Sequence, residues 1–194
     1  MNKTFRALAL SACLGALAAT AQAATATAVF AGGCFWCIEA DFEKLAGVTE
    51  VESGYTAGKT ANPTYEQVSN GHTGHTEAVR VIYDPARVSY AQLVDYFWRH
   101  IDPTVKDRQF CDIGSQYRSG IYWGSPAERQ VVEASRDALL KSGRFKAIHT
   151  ELAPASTFYL AEDYHQDYYK KNSVRYNYYR YSCGRDARVK SLWQ

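Results

Sequence analysis

Two cysteines flank a pair of aromatic residues in the run Gly32-Gly33-Cys34-Phe35-Trp36-Cys37. The pattern predicts an apolar strand before the two glycines and a helix over 38–44, so that Cys34 would lie at a helix N-terminus. Unpaired N–H groups and the helix dipole favour a thiolate there, and we expect the pKa of Cys34 to be lowered. Cys34 is therefore a candidate nucleophile beside an apolar pocket. A buried, unreactive thiol or half of a structural disulfide is the alternative.

A carboxylate within an apolar strand is a candidate general acid. Residues 76–83 alternate as a strand, which places Glu77 on the same face as Val79, Val81 and Tyr83. Burial raises the pKa of a carboxyl group and can keep it protonated near neutral pH. The periodicity leaves a second interpretation open, in which the strand end is exposed and Glu77 is solvated or paired with a base.

A metal site is another interpretation of this region, with His72 and His75 as ligands and Cys34 and Cys37 added to them. The pattern is weak, because a structural zinc site usually needs a second closely spaced cysteine pair and the other cysteines are single. We expect these two loop histidines to form hydrogen bonds with the backbone instead.

The Cys-x-x-Cys run also fits a thioredoxin-like dithiol oxidoreductase, in which the first cysteine attacks and the second resolves. This is the main alternative enzyme class. Against it, the aromatic pair lies between the cysteines rather than before them, and the following elements do not give the expected βαβ order. A redox-inert binding protein stapled by disulfides is the remaining alternative.

The first 23 residues have the pattern of a secretory signal peptide. Lys3 and Arg6 precede a short apolar run, and Ala21-Gln22-Ala23 fits a cleavage site. Residues 10–13 could instead form a lipoprotein box that leaves a lipidated Cys13, but so short an apolar core disfavours it. The run is also short for a membrane span. We therefore expect a periplasmic or secreted protein without a membrane span.

Residues 24–194 suit one domain, because no repeat or linker divides them. Without Lys3 and Arg6 the chain has 20 basic and 20 acidic residues, so no strongly charged partner is expected. The basic, tyrosine-rich stretch 170–190 is of a type that can bind single-stranded nucleic acid. In a neutral chain a packed C-terminal segment is expected instead, with no nucleic-acid partner and a monomer as the default.

Strands and helices alternate irregularly after Cys34, which predicts an α+β two-layer domain. Two long loops, 54–74 and 102–118, are candidates for building a site. His165 is either a site residue or a polar group on a helix face. The other predicted elements are a helix over 89–101, a strand over 119–123, a helix from Ser125, with a capping box and Pro126, to about Ser142, and a short helix over 161–171.

Six motifs, taken together and in this order, resemble the A-type peptide-methionine (S)-S-oxide reductases. The resemblance covers nearly all of the chain after residue 23. The matching segments are GGCFWC (32–37), NPTY (62–65), GHTEA (74–78), DIGSQYRS (112–119), AEDYHQ (161–166) and SCGRD (182–186). The fold expected with it is a two-layer α/β sandwich with a ferredoxin-like core, long loops and an irregular C-terminal tail.

The resemblance implies that Cys34 attacks the sulfur of methionine S-sulfoxide and that Glu77 protonates the departing oxygen. The substrate methyl group would lie against Phe35 and Trp36. Two pairs of polar residues complete the implied site, one bonding the oxygen and one shaping the pocket: Tyr65 with Tyr117, and Asp112 with His165. The chemistry agrees, because sulfoxide oxygen leaves readily only when a proton and hydrogen bonds arrive as charge develops.

Attack leaves Cys34 as a sulfenic acid, which a second thiol must convert to a disulfide. The resemblance implies Cys183 for this role. The chain also has Cys37, where many relatives have glycine, and Cys111 directly before Asp112, and either is an alternative resolving thiol. The implied partners are proteins that contain methionine sulfoxide, with free methionine sulfoxide as a second candidate, and a thioredoxin-like reductant. No metal or organic cofactor is implied.

Overall fold

A six-stranded sheet forms the centre of the computed structural model, which describes residues 24–194. The strands, in chain order, are β1 (Ala26–Gly32), β2 (Val48–Thr56), β3 (Thr76–Tyr83), β4 (Arg108–Gln109), β5 (Asp112–Ile113), β6 (Ser119–Trp123), β7 (Glu151–Pro154) and β8 (Tyr159–Leu160). The helices are α1 (Phe35–Phe42), α2 (Tyr65–Ser69), α3 (Tyr90–Trp98), α4 (Pro126–Lys141), α5 (Tyr168–Lys171), α6 (Ser173–Ser182) and α7 (Arg185–Trp193).

The expected signal peptide and its alternative, a lipoprotein box at Cys13, lie outside the described residues. Between residues 24 and 194, none of the helices has the length and apolar character that crossing a membrane requires.

The sheet has the strand order β7-β6-β1-β3-β2-β8. Its four central strands are antiparallel neighbours, and they are connected as β1-α1-β2-β3-α3-β6. This connection and this order define the ferredoxin-like split βαβ arrangement, so the expected two-layer α+β fold is confirmed. Strand β7 extends one edge in parallel to β6, and β8 extends the other edge in antiparallel to β2. Strands β4 and β5 form a separate hairpin.

The helix-facing side of the sheet contains the main core. Phe30 of β1 stacks between Phe42 of α1 and Phe97 of α3, with ring centroids 4.9 and 5.1 Å away. Val79 and Val81 of β3 lie in the same core and are fully buried. Strand β3 has the bounds that the alternating pattern predicts, so Glu77 also lies on the face that the helices cover.

Most of the helices and strands predicted from the sequence are confirmed, with small shifts at their ends. Helix α1 begins at Phe35 rather than at 38, and β6 has its predicted bounds. Ser89 and Ser125 are the N-caps of α3 and α4. The capping box at Ser125 is only half formed, because the Glu128 carboxylate accepts the N–H of Gly124.

The expectation of an irregular C-terminal tail is wrong. Residues 173–193 form α6 and α7, whereas the helix predicted over 161–171 is reduced to α5. Neither α6 nor α7 begins with a side-chain capping hydrogen bond, so no such bond stabilises their first turns. The tyrosine-rich stretch is helical and packs against the domain through Tyr176 and Tyr179, whereas Tyr178 and Tyr181 are 74% and 86% exposed. The expected packed C-terminal segment is therefore confirmed for one face of α6 only.

Buried arginines attach these two helices to α1. Arg185 is 2% exposed, its guanidinium donates to the carbonyls of Gly32 and His100 at 3.2 and 2.9 Å, and Asp41 lies 3.7 Å away. Arg180 of α6 forms an ion pair with the same Asp41 at 2.9 Å. Because both cations meet one buried carboxylate, the C-terminal helices are fixed to the start of the fold.

Replacing Arg185 with Met should lower the free energy of unfolding by about 3 kcal/mol, because two buried carbonyls lose their donor and Asp41 loses one of its two cations. Urea-induced unfolding measures this change.

The matched control is Arg99→Met. Arg99 pairs with Asp95 one helical turn away, and both side chains are more than half exposed. We expect this variant to lose less than about 0.5 kcal/mol. Equal losses in the two variants would contradict the anchoring role of Arg185.

Candidate active site

A tight turn between β1 and α1 places the first cysteine. Gly33 has a positive φ of 84°, a conformation that residues with a side chain rarely adopt. A Cβ there would also lie 2.5 Å from the Cβ of the buried Gln109. Cys34 follows as the N-cap of α1 and is 6% exposed. The glycine therefore sets the position of the Cys34 thiol.

The expectation of a lowered pKa for Cys34 is wrong. Burial raises the pKa of this thiol, and a hydrogen bond with Cys37 and the carboxyls of Glu77 and Asp112 add to the rise. The thiol makes no capping hydrogen bond with the helix. Instead the first helical N–H, that of Phe35, donates to Glu77 Oε2 at 3.0 Å. The N-terminus of α1 thus donates a hydrogen bond to Glu77, and the Cys34 thiol receives none from it.

Cys37 lies one helical turn after Cys34 and is 2% exposed. Its hydrogen bond with Cys34 lowers the pKa of Cys37, as do the guanidinium groups of Arg185 and Arg180, although burial opposes them. The two thiols therefore differ in charge environment, with carboxyls around Cys34 and cations near Cys37.

Glu77 is a buried acid, as one interpretation of the sequence predicts. Its side chain is 2% exposed, and burial raises the pKa to about 8 in spite of the hydrogen bond from the Phe35 N–H. Asp112 raises it further. Glu77 is therefore mostly protonated at neutral pH, and the alternative of an exposed strand end is excluded.

A cavity of about 80 Å³ brings the predicted site residues together. It is lined by Cys34, Phe35, Trp36, Tyr65, Glu77, Asp112, Tyr117 and Tyr179. Both long loops contribute, since α2 in the first carries Tyr65 and the second carries Asp112 and Tyr117. Of the eight residues, sequence reasoning missed only Tyr179.

His165 lies behind the cavity wall rather than in it. It is 2% exposed, and its Nδ1 accepts a hydrogen bond from the Trp36 indole N–H at 3.1 Å. Burial lowers the pKa of His165, which favours the neutral ring that such an acceptor requires. Its ring also contacts Tyr65 and Phe35, with centroids 4.4 and 5.0 Å away. His165 therefore orients the aromatic wall.

Glu162 holds a second part of the wall. One carboxylate oxygen accepts the Tyr55 hydroxyl and the other accepts the Tyr65 N–H, both at 2.8 Å. Sequence reasoning did not assign this residue a role, although it lies in the motif 161–166 with His165. Trp36 and Tyr65 are thus fixed from behind the cavity by the hydrogen bonds that they donate to His165 and Glu162.

Tyr179 closes the remaining side. Its hydroxyl donates to Asp112 Oδ2 at 2.6 Å, and its ring meets Trp36 edge-on with centroids 6.0 Å apart. The Tyr168 ring stacks on the Trp36 ring, with centroids 3.7 Å apart. Both tyrosines come from the segment predicted to be a short helix and an irregular tail, which is why their contribution was missed.

The four described cysteines form two groups. Cys34 and Cys37 are free and buried, whereas Cys111 and Cys183 form a disulfide. The resemblance implies a bond between Cys183 and Cys34, but here Cys183 pairs with Cys111. Cys111 lies in the turn of the β4–β5 hairpin, and Cys183 is the residue that ends α6.

The histidines considered as metal ligands lie apart from the cysteines. His75 Nδ1 accepts the Gly58 N–H at 3.2 Å, and its Nε2 is 2.7 Å from the Thr60 carbonyl, so the predicted backbone bonding is confirmed for His75. His72 is exposed. The three-residue groups with ligand spacing found in residues 24–194 contain neither histidine.

Comparisons with known proteins agree with this arrangement. The family model described as Peptide methionine sulfoxide reductase matches residues 26–194. Peptide methionine sulfoxide reductase MsrA 2 of Caulobacter vibrioides is 50% identical over 187 residues, which cover 94% of this chain and 95% of the relative. The MsrA of Listeria innocua is 48% identical over 168 residues, covering 86% of this chain and 95% of the relative.

Solved structures show the same fold. Methionine sulfoxide reductase A of Corynebacterium diphtheriae is 38% identical with a TM-score of 0.70, covering 79% of this chain and 77% of that one. Reduced Mxr1 of Saccharomyces cerevisiae is 32% identical with a TM-score of 0.72, covering 77% of this chain and 86% of that one.

Infrared spectroscopy should detect the proton on Glu77 directly. We expect a C=O band of a protonated carboxyl group at pH 7 that disappears with a midpoint near 8 and is missing in Glu77→Gln. Glu39 is the matched control, because this fully buried carboxyl has a pKa raised by burial to about 7. Glu39→Gln should remove a separate band and keep that of Glu77. A Glu77 group already ionised at pH 6 would contradict the assignment.

Proposed function

The chain belongs to the peptide methionine sulfoxide reductase family, and on that premise we propose how its residues reduce methionine S-sulfoxide to methionine. One observation carries the proposal. A single cavity, of about 80 Å³, is lined by a free thiol, Cys34, and by a buried, protonated carboxyl group, Glu77, with an aromatic wall beside them. A nucleophile and an acid on one small cavity are what sulfoxide reduction requires.

The aromatic wall binds the substrate methyl group. Phe35 and Trp36 line the cavity next to Cys34, and Trp36 is fixed by His165 and Tyr168. A methyl group placed against this wall directs the sulfoxide oxygen towards the polar side. Because the sulfur is chiral, only one epimer presents its oxygen to the acid and its sulfur to the thiol at once, and the family motifs assign this to the S form.

The polar side stabilises the oxygen as it gains charge. Glu77 lines the cavity together with Tyr65 and Tyr117, and we assign the two tyrosine hydroxyls as donors to the oxygen. Burial raises the pKa of Tyr65 to about 12 and also raises that of Tyr117, so both remain donors. Asp112 has a different role, since it accepts the Tyr179 hydroxyl and shapes the wall.

The first half-reaction transfers the oxygen to Cys34. The Cys34 sulfur bonds to the sulfoxide sulfur while Glu77 protonates the oxygen, and the proton from the Cys34 thiol restores Glu77. The oxygen then moves to the Cys34 sulfur, the S–O bond of the substrate and the new S–S bond both break, and methionine leaves as a thioether. Cys34 becomes a sulfenic acid. The substrate sulfur gains two electrons and the Cys34 sulfur loses two.

A second thiol then forms a disulfide with Cys34 and releases water. We assign this step to Cys183, as the family motif implies. Its N–H donates to the carbonyl of Tyr179, a cavity residue, at 2.9 Å, so Cys183 lies one helical turn from the cavity wall. Cys37 remains the alternative, because its thiol already bonds with that of Cys34.

We further propose that the protein is exported and acts on oxidised proteins in the periplasm or outside the cell. The signal-peptide pattern of residues 1–23 supports this location. A disulfide formed in each cycle must be reduced by a dithiol, and outside the cytoplasm this reductant is an exported thioredoxin-like protein. The chemistry calls for no metal or organic cofactor.

The activity is tested with the separated S and R epimers of a methionine-sulfoxide peptide and dithiothreitol as reductant. We expect turnover of the S epimer alone, and none with the Cys34→Ser variant. Folded, reduced protein that turns over neither epimer would contradict the proposal and favour the dithiol exchanger.

Replacing Glu77 with Gln should slow methionine formation in a single turnover by roughly two to four orders of magnitude, because the oxygen then leaves without a proton. In the unaltered protein the rate should fall as pH rises above about 8, where Glu77 loses its proton, and this fall should be missing in Glu77→Gln. Glu39→Gln removes another buried carboxyl outside the cavity and should change the rate little. A small loss in Glu77→Gln would exclude Glu77 as the acid.

A further inference from the structure

We propose that this protein binds a calcium ion outside its active site, at the carboxylates of Glu39, Glu43 and Asp167. Glu39 lies on α1, Glu43 directly follows α1, and Asp167 directly precedes α5. An oxygen of each carboxylate lies within 4.8 Å of an oxygen of the other two. These three residues do not line the cavity that contains Cys34, so the inference is independent of the proposed function.

Glu39 has a carboxylate oxygen that no group in the described part of the chain satisfies. The residue is fully buried, with 0% of its surface exposed. Its Oε1 accepts the N–H of Asp167 at 3.0 Å, whereas its Oε2 is buried without a hydrogen-bond partner. A buried carboxylate oxygen without a partner is costly unless a proton or a cation neutralises it. The two further carboxylates beside it favour a cation.

The three carboxylates carry more negative charge than the basic group between them balances. The ammonium of Lys170 forms ion pairs with Glu43 and Asp167, at 2.6 and 2.7 Å, so this position already binds a cation. Burial raises the pKa of Glu39 to about 7, and the charges of Glu43 and Asp167 add to the rise. A divalent cation removes this repulsion. Lys170 gives way to it, because its side chain is 52% exposed and the ammonium can return to water.

The donor atoms and their spacing favour calcium. Ca²⁺ binds about six to eight oxygen ligands at about 2.3–2.6 Å, so that opposite ligands lie about 5 Å apart, whereas Mg²⁺ requires about 2.0–2.1 Å and near-octahedral geometry. Soft metals prefer sulfur or nitrogen, and this cluster offers oxygen. Glu43 and Asp167 are half-buried and line a surface pocket of about 340 Å³, from which water can supply the remaining ligands.

The ion connects α1 to the segment that precedes α5. Asp167 has a positive φ of 53°, which costs free energy in a residue other than glycine, and its N–H bond to Glu39 helps to hold it there. The next residue, Tyr168, stacks on Trp36. Calcium that binds only the folded chain therefore stabilises the fold increasingly as its concentration exceeds the Kd.

Calorimetric titration of the metal-free protein with CaCl₂ tests the site. We expect one ion per chain with a Kd of about 0.1–1 mM, as in extracellular calcium modules. Glu43→Gln should raise this Kd by about tenfold or more, because a charged ligand is lost. The matched control is Glu50→Gln, which removes a carboxylate from the same pocket but outside the ligand set. At about 0.15 M salt it should change the Kd by less than about twofold.

Two results would overturn the proposal. The first is a titration of the unaltered protein without saturable binding. The second is an equal loss of affinity in Glu43→Gln and Glu50→Gln, because the pocket would then attract calcium through its overall charge. MgCl₂ in place of CaCl₂ should bind at least about tenfold more weakly, and equal affinity would overturn the assignment to calcium.

A second variant, Lys170→Met, covers the case in which Glu43→Gln fails to fold, since Glu43 also accepts the Tyr169 hydroxyl. Lys170 competes with calcium for the same carboxylates, so its removal should lower the Kd for calcium by about tenfold. Loss of structure cannot produce tighter binding. An unchanged or higher Kd in Lys170→Met would overturn the proposal, because the ion would then bind elsewhere.

Discussion

The hydrogen bond from the Phe35 N–H to Glu77 joins the beginning of α1 to the beginning of β3, and the chemistry of the site depends on it. It holds the acid close to the nucleophile, which precedes Phe35 in the chain. Two opposing effects act on Glu77, because the N–H bond lowers its pKa and burial raises it. Burial is the larger effect, and the carboxyl stays protonated at neutral pH. The same bond takes up a helix N–H that would otherwise favour a thiolate at Cys34, so nucleophile and acid are both neutral before substrate binds.

Around this pair, residues outside the cavity fix the residues inside it. His165 orients Trp36, Glu162 holds Tyr65, and Asp112 accepts the hydroxyl of Tyr179. Each of these bonds reduces the freedom of a side chain that must present an apolar face or a donor to a small substrate. The C-terminal helices take part in this support, because Arg180 and Arg185 attach them to Asp41 on the helix that begins next to Cys34.

The described cysteines differ in their exposure to solvent. A buried thiol such as Cys34 is shielded from unspecific oxidants and reacts with a substrate small enough to enter the cavity. Cys111, by contrast, is exposed on a short hairpin and is paired with Cys183.

The sequence by itself determined the elements with strong local signals. The alternation in β3 predicted which face carries Glu77, the helical periodicity over 89–101 predicted α3, and the capping residues at Ser125 predicted α4. The motif order pointed to seven of the eight residues that line the cavity. These signals are local because periodicity and capping act within a few residues. Only the tertiary structure decided the rest. Helices α6 and α7 lack capping side chains and depend on ion pairs with Asp41, far away in the chain. The charge state of Cys34 and the pairing of Cys111 with Cys183 likewise depend on burial and on distances between remote segments, which no local pattern encodes.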